Sequence, residues 1–437
     1  QQQHQQQHQQ QHQQQQFGQY QYVQPPTFVR HTGGRPGSDS ESTDVPSPRS
    51  RSSDDEAESS RRRWTAGSVQ AASPMAKIAQ NFSLVASKSF GDDRNYQVMS
   101  SMEQNMASDV ELCWPDMGVR VKGQQNVQSF SQSFLSSMPD LQMSIEAVTE
   151  DGPSYGMIEY TVSGTQSRPV LPMFPVGKWV QWRIYSRYEF DQASKVRVHQ
   201  IRFGFVPNAP VTSAHFLGLA RCARMLASTS GGSRLLQEAI EMCPDITDVR
   251  NKEFLISPVQ GHVWEMSLSP HGNHVVQKLI MHLFPHQLQF IVDEFRGHVA
   301  EAAQNQMQSR VLERLLEHCA PLQTAGLAEE ALRQAPLLLR HSFGNFVLQG
   351  ILDYGLPEHR SRLVRAIAGD AERLARHNIA SNTVRKALRS SAPADQEALV
   401  EALRSDPKGF QNLCKHKTGS FVARELKHLG KGFDHLK

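Results

Sequence analysis

The chain has 437 residues, room for two or three domains, with 46 Lys and Arg against 43 Asp and Glu and a formal net charge of +3. That near-balance excludes a generic polyanion binder held by bulk charge alone. Five cysteines (Cys113, Cys222, Cys243, Cys319, Cys414) are odd in number and lie outside any CxxC or Cys/His ligand spacing, which argues against a disulfide framework or a zinc site.

No metal or other cofactor is expected. Neither a membrane-length apolar run nor a signal peptide is visible. A reducing compartment is therefore expected, the cytoplasm first, with nucleus or nucleolus as the alternative. The chain opens with Gln1 rather than Met, so it is expected to be a fragment.

Residues 1 to about 24 are Gln with interspersed His, and residues 32–74 are rich in Gly, Ser, Asp, Arg and Pro. Neither stretch can bury enough apolar surface to fold, so residues 1–74 are expected to be a disordered low-complexity tail.

From residue 75 to 207 the pattern changes. "KWVQWRIYSRYEF" (178–190) alternates, with Val180, Trp182, Ile184, Tyr188 and Phe190 on one side and Gln181, Arg183, Arg187 and Glu189 on the other. That period of two predicts a half-buried antiparallel strand. "KVRVHQIRFG" (195–204) predicts its partner, and "LQMSIEAVTED" and "SYGMIEYTVSGTQ" predict earlier strands. Helices are expected near 92–107 and 124–138, and helices followed by a run of strands imply an α+β fold.

"SFLSSMPDLQMSIEAV", "YTVSGTQ" and the closing strands resemble the SnoaL-like branch of the cone-shaped nuclear-transport-factor superfamily. The resemblance implies a curved sheet closed by helices around a pocket, with homodimerisation or partner docking through residues 75–207. Some members are enzymes with an acid on the last strand. The matching stretch here is His199-Gln200-Ile201, with no carboxylate. Asp109 and Asp116, near Trp114, are the remaining acids to weigh, and a surface role is expected for them. No catalytic residue is assigned; an enzyme or small-ligand domain carrying the repeats as scaffold is the alternative.

Residues 208–437 carry an internal repeat. "SPHGNHVVQKLI" (269–280) predicts a helix with Val275, Val276, Leu279 and Ile280 as its buried stripe, beside Asn273, His274 and Gln277. The same three positions recur as Ser309, Arg310 and Glu313, as Asn345, Phe346 and Gln349, and as Ser381, Asn382 and Arg385, each set 36 residues after the last. Looser copies flank these, with Ser233, Arg234 and Gln237 before and Ser420, Phe421 and Arg424 after. A fixed period of this size marks a stacked helical solenoid whose units bury their apolar faces against neighbours.

The recurring pattern runs small residue, Ser or Asn, flat or cationic residue, two apolar residues, then Gln, Glu or Arg. It resembles the Pumilio (PUF) family of RNA-binding repeats. The resemblance implies that each repeat reads one base of single-stranded RNA, here mRNA. It assigns base-edge contacts to Ser233, Gln237, Asn273, Gln277, Ser309, Glu313, Asn345, Gln349, Ser381, Arg385, Ser420 and Arg424. Base stacking falls to Arg234, His274, Arg310, Phe346, Asn382 and Phe421.

The chemistry suits those roles. Glu313 is acceptor-only, matching guanine's two adjacent donors, whereas amides offer both functions. Carried over repeat by repeat, the pairs 233/237, 273/277, 309/313 and 345/349 imply adenine, uracil, guanine and uracil. Because the family binds RNA antiparallel, they spell 5′-UGUA-3′. Arg385 and Arg424 imply cytosine or phosphate contacts. Eight repeats are common in the family and six are found, with 243–264 the expected place for extra structure. A related factor acting on ribosomal RNA is the closest rival reading.

Overall fold

The computed structural model describes residues 62–64, 73–86, 104–243, 254 and 256–429. The chain divides into two compact units, residues 1–218 and 219–437. The low-complexity tail lies outside the described residues apart from Ser73, Pro74 and Arg62–Trp64, and the last of these departs from expectation by forming a strand.

The first unit is built on one seven-stranded sheet: β1 (Arg62–Trp64), β2 (Met106–Trp114), β3 (Val119–Lys122), β4 (Gln142–Asp151), β5 (Tyr155–Thr165), β6 (Trp179–Phe190) and β7 (Val196–Gly204). The order is β1-β4-β5-β6-β7-β2-β3, antiparallel except where β2 runs parallel to β7. The alternation in β6 does what it predicts: Val180, Trp182, Ile184, Tyr188 and Phe190 are buried, and Arg183 pairs outward with Glu159 at 2.7 Å. Helix Gln124–Ser137 packs on β2 and buries Val127, Phe130 and Leu135.

The helix expected over 92–107 is corrected at its end. Gln104 and Asn105 are the last helical residues, and from Met106 the chain is a strand paired with β7. Pairing with a neighbouring strand outweighs local helix preference there; residues 92–103 lie outside the description.

Among the described residues the second unit's regular elements are all helices. Six helices carry the recurring triplets: Ser230–Glu241, Gly272–His282, Gln308–His318, Gly344–Tyr354, Ala380–Ser390 and Gly419–His428. Each packs on the next in series. Short helices such as Val263–Leu268 and Val299–Gln304 precede them, and outer helices such as Ala325–Arg333 and Pro357–Ala368 follow. The predicted stripe is the core: Val275, Val276, Leu279 and Ile280 are all buried, as are Val311, Leu312, Leu315 and Leu316. The second unit is an α-solenoid, and the first, which precedes it in sequence, is an α+β domain.

The small residue before each triplet has a steric reason. A Cβ added at Gly232 would sit 2.4 Å from the Leu226 carbonyl oxygen, and one at Gly272 would sit 2.5 Å from that of Met266. Gln308 fills the equivalent place differently. It is fully buried and its Nε2 reaches the previous repeat, at 3.4 Å from the Trp264 carbonyl and 3.3 Å from Ser267 Oγ.

Candidate nucleic-acid interface

The triplet positions repeat in three dimensions as they do in sequence. The first member is buried in five helices: Ser233, Asn273, Ser309, Asn345 and Ser381. The middle member is exposed in all six: Arg234, His274, Arg310, Phe346, Asn382 and Phe421. The third is half-buried in five: Gln237, Gln277, Glu313, Gln349 and Arg385. The last repeat is more open, with Ser420 half-buried and Arg424 exposed. Exposed flat groups beside half-buried polar ends are what a base would meet, ring on ring and edge on edge.

The amide pairs are joined to each other by hydrogen bonds. Gln277 Nε2 donates to Asn273 Oδ1 at 2.8 Å, and Gln349 Nε2 donates to Asn345 Oδ1 at 2.9 Å. Asn273 Nδ2 in turn donates to the Ser269 carbonyl at 2.8 Å, and Asn345 Nδ2 to that of His341 at 2.9 Å. Each Gln keeps one N–H and a free Oε1 for a partner, so the pair offers a donor and an acceptor side by side. Gln237 is tied in the same way, donating to Ser233 Oγ at 3.1 Å. Ser309, Ser381 and Ser420 turn their hydroxyls onto carbonyls three residues back, those of Gln306, Asn378 and Lys417.

Glu313 differs. Its two oxygens each accept from Arg310 Nη1 at 3.2 Å, while burial pushes its carboxyl above the usual range against that arginine. The Arg310 guanidinium also lies over the Phe346 ring, 4.9 Å from its centroid. At the C-terminal end Arg385 is engaged within the protein. Its Nε lies 3.6 Å from Glu425, whose carboxyl is held low chiefly by its hydrogen bond from Arg389. Arg385 and Arg424 both lie over Phe421.

Sequence reasoning missed the residues that hold these helices open-ended. Four positions before each triplet stands a side chain that caps the turn: Thr229, Ser269, Asn305, His341, His377 and His416. Asn305 Oδ1 accepts from the Met307 and Gln308 amides at 2.8 and 3.1 Å. His341 Nδ1 accepts from those of Phe343 and Gly344, and His416 Nδ1 from those of Thr418 and Gly419. These are N-capping contacts on otherwise orphan amides. Their recurrence, at 36-residue intervals from Ser269 to His377, was available as a signal, hidden by the change of residue type.

Asp109 is exposed on β2 as expected, whereas Asp116 departs from the expected surface role: it is buried, 3.9 Å from Arg202. His199 faces the inside of the cone, where burial lowers it to about 3. Among the described residues no group of side chains is arranged to hold a metal, and no helix is long and apolar enough to cross a membrane.

Comparison with known proteins places both units. The family model of the Pumilio-family RNA binding repeat matches residues 262–295, 298–331 and 337–368, and that of the SnoaL-like domain matches residues 93–199. No curated protein matches the chain. Similar solved structures include PUF-8 in complex with PBE-RNA, at 23% identity and a TM-score of 0.46, over 51% of this chain and 65% of that one. The chain thus spans just under two thirds of PUF-8. A Puf4 double mutant bound to a Cox17 RNA 3′ UTR recognition sequence is similar at 25% identity and a TM-score of 0.46, over 52% and 77%. The RNA-binding domain of yeast Puf5p bound to SMX2 RNA follows at 18% and 0.40, over 46% and 56%. Residues 262–368 thus match Pumilio-family RNA binding repeats and follow, along the chain, residues 93–199 that match a SnoaL-like domain.

Proposed function

We propose that the second unit binds single-stranded RNA sequence-specifically, one base per repeat, and that the chain acts in post-transcriptional regulation of mRNA in the cytoplasm. The observation that carries this is the buried, exposed, half-buried order of each triplet, repeated on consecutive helices with the amide pairs already joined. A polar helix face with no binding task has no reason to keep that order from repeat to repeat.

Four consecutive pairs, Ser233/Gln237, Asn273/Gln277, Ser309/Glu313 and Asn345/Gln349, fit a UGUA element, with Arg234, His274, Arg310 and Phe346 stacking on its bases. Ser381, Asn382, Ser420 and Phe421 would meet nucleotides upstream of it. Arg385 and Arg424 suit phosphate or an acceptor-rich edge. Net charge near balance fits specificity drawn from base edges, with phosphates secondary.

We also propose that residues 75–207 mediate self-association or partner docking through the outer sheet face, which light scattering on the full chain would test. RNA selection on the full chain tests the main reading. Enrichment of UGUA supports it, and enrichment of a structured ribosomal element or of no motif would replace it.

A further inference from the structure

Glu425 lies in the last triplet-bearing helix, one residue after Arg424, and is only 6% exposed. A carboxylate taken out of water needs partners, and here they come from the preceding triplet-bearing helix, Ala380–Ser390. Arg389 Nε donates to one oxygen at 2.6 Å, and Arg389 Nη2 donates to the other. Arg385 Nε faces the same carboxylate at 3.6 Å and is itself buried. The Arg385 guanidinium also lies over the Phe421 ring, 5.8 Å from its centroid.

Arg385 holds the position that Gln277, Glu313 and Gln349 hold in the three repeats before it. Those three are tied within their own triplets, to Asn273, Arg310 and Asn345. Arg385 is instead engaged by the repeat that follows. The rest of its triplet is equally ill-suited to a base. Ser381 spends its hydroxyl proton on the Asn378 carbonyl, and Asn382 brings neither ring nor guanidinium to the stacking position. For Arg385 to reach a base edge, a buried carboxylate would have to give up one of its two cations. Taking a partner from a buried charge is costly.

We propose that Glu425 sets the specificity of the fifth repeat, counted from Ser230–Glu241. By holding Arg385 against itself and Phe421, it leaves the nucleotide immediately 5′ of the four-base core unread, so that any base is accepted there. Glu425 is thus a positioning residue that acts through Arg385. The inference rests on the base reading proposed above and narrows it at one position.

The test is fluorescence anisotropy on the full chain, with ten-nucleotide RNAs that differ only at the nucleotide preceding UGUA. Wild type should bind all four within about two-fold of one another. Arg385→Gln removes the guanidinium and recreates the Ser233/Gln237 pair. It should introduce a preference for adenine there of about five-fold or more, the worth of a base-edge contact. Glu425→Gln keeps the shape and removes the charge. It should release Arg385 to favour cytosine, which carries adjacent acceptors, over adenine by about three-fold or more, the worth of one hydrogen bond. Five-fold discrimination by wild type overturns the proposal, because Arg385 then reads a base despite Glu425. A flat profile in either folded variant also overturns it, since something other than the grip of Glu425 then silences the repeat. Should Glu425→Gln fail to fold, the wild-type profile and Arg385→Gln, which leaves Glu425 its Arg389 partner, still decide. A parallel RNA with UCUA in place of UGUA separates the two failures. If that change weakens binding while wild type discriminates upstream, only this inference falls; if it does not weaken binding, the base reading falls and this inference with it.

Discussion

Arg310 lies over Phe346, its guanidinium carbon 4.9 Å from the ring centre, while its Nη1 reaches both oxygens of Glu313 at 3.2 Å. Two of the side chains proposed to stack on RNA bases therefore touch each other. A base entering between them, on the proposed reading, would need two ring contacts of about 3.5 Å, a gap of roughly 7 Å, and the slot would have to open. When Arg310 moves, Glu313 loses a partner in a half-buried site. A base offering two donors replaces that partner; a base offering an acceptor leaves the carboxylate unpaired. On the proposed reading the slot would therefore discriminate as well as resist.

Exchanging Glu313 for Gln removes that discrimination. The variant resembles the Ser233/Gln237 pair assigned to adenine. Wild type should prefer a UGUA oligonucleotide over UAUA by roughly ten-fold or more, since one bidentate base contact is worth about 1–3 kcal/mol. Glu313→Gln should narrow or reverse that ratio. Fluorescence anisotropy with both oligonucleotides on both proteins gives the answer. Equal weakening of the two would mean that Glu313 merely decorates a solvated helix face.

Phe346→Ala should behave otherwise. Stacking tolerates any base and is worth about 1–3 kcal/mol by alanine substitution. The variant should lose affinity for UGUA and UAUA alike, with their ratio kept. A change confined to one sequence would assign Phe346 to edge reading instead.

The caps can be tested on stability. Asn305 supplies one oxygen to two amides at the start of the helix that carries Ser309, Arg310 and Glu313. Asn305→Ala should cost about 0.5–2 kcal/mol. For a unit of this size that is a fall in melting temperature of a few degrees, about 2–4 °C per kcal/mol. An unchanged melt would show that solvent caps the turn equally well.

Periodicity made much of this fold legible. The strand β6 and the six triplet helices were readable because burial on one face imposes a period of two or 3.6 on residue type. The buried stripe around Val275 and Leu279 needed nothing more. The caps were not legible, because Thr, Ser, Asn and His share only an acceptor lone pair, which no hydropathy pattern reports. The engagement of Arg385 by Glu425 was hidden for another reason: the partner sits 40 positions away, and only helix stacking brings the two together. The first triplet residues were assigned to the base edge from the motif. Their burial, with Ser233 donating to the His271 carbonyl of the next repeat and the others to carbonyls of their own preceding turn, is set by tertiary packing that the motif does not encode.

His199 makes the stability of the SnoaL-like domain depend on pH in a definite direction. Burial lowers its pKa from 6.5 to about 3, and His215 is lowered for the same reason. Between those two values the unfolded chain binds a proton at residue 199 and the folded chain does not. Stability therefore rises with pH through that window. The full contribution is present above about pH 6.5 and is lost progressively as pH falls towards 3. At pH 5 the loss from this one residue is about 2 kcal/mol by linkage. His199→Gln removes the titrating group while retaining a polar atom for Ser186, whose Oγ lies 3.0 Å from His199 Nε2. Denaturant melts of the full chain at pH 7 and pH 5 should show the wild-type transition of this unit losing more stability on acidification than the variant does. Equal losses would mean that water reaches the imidazole and that the ring titrates normally in the folded state.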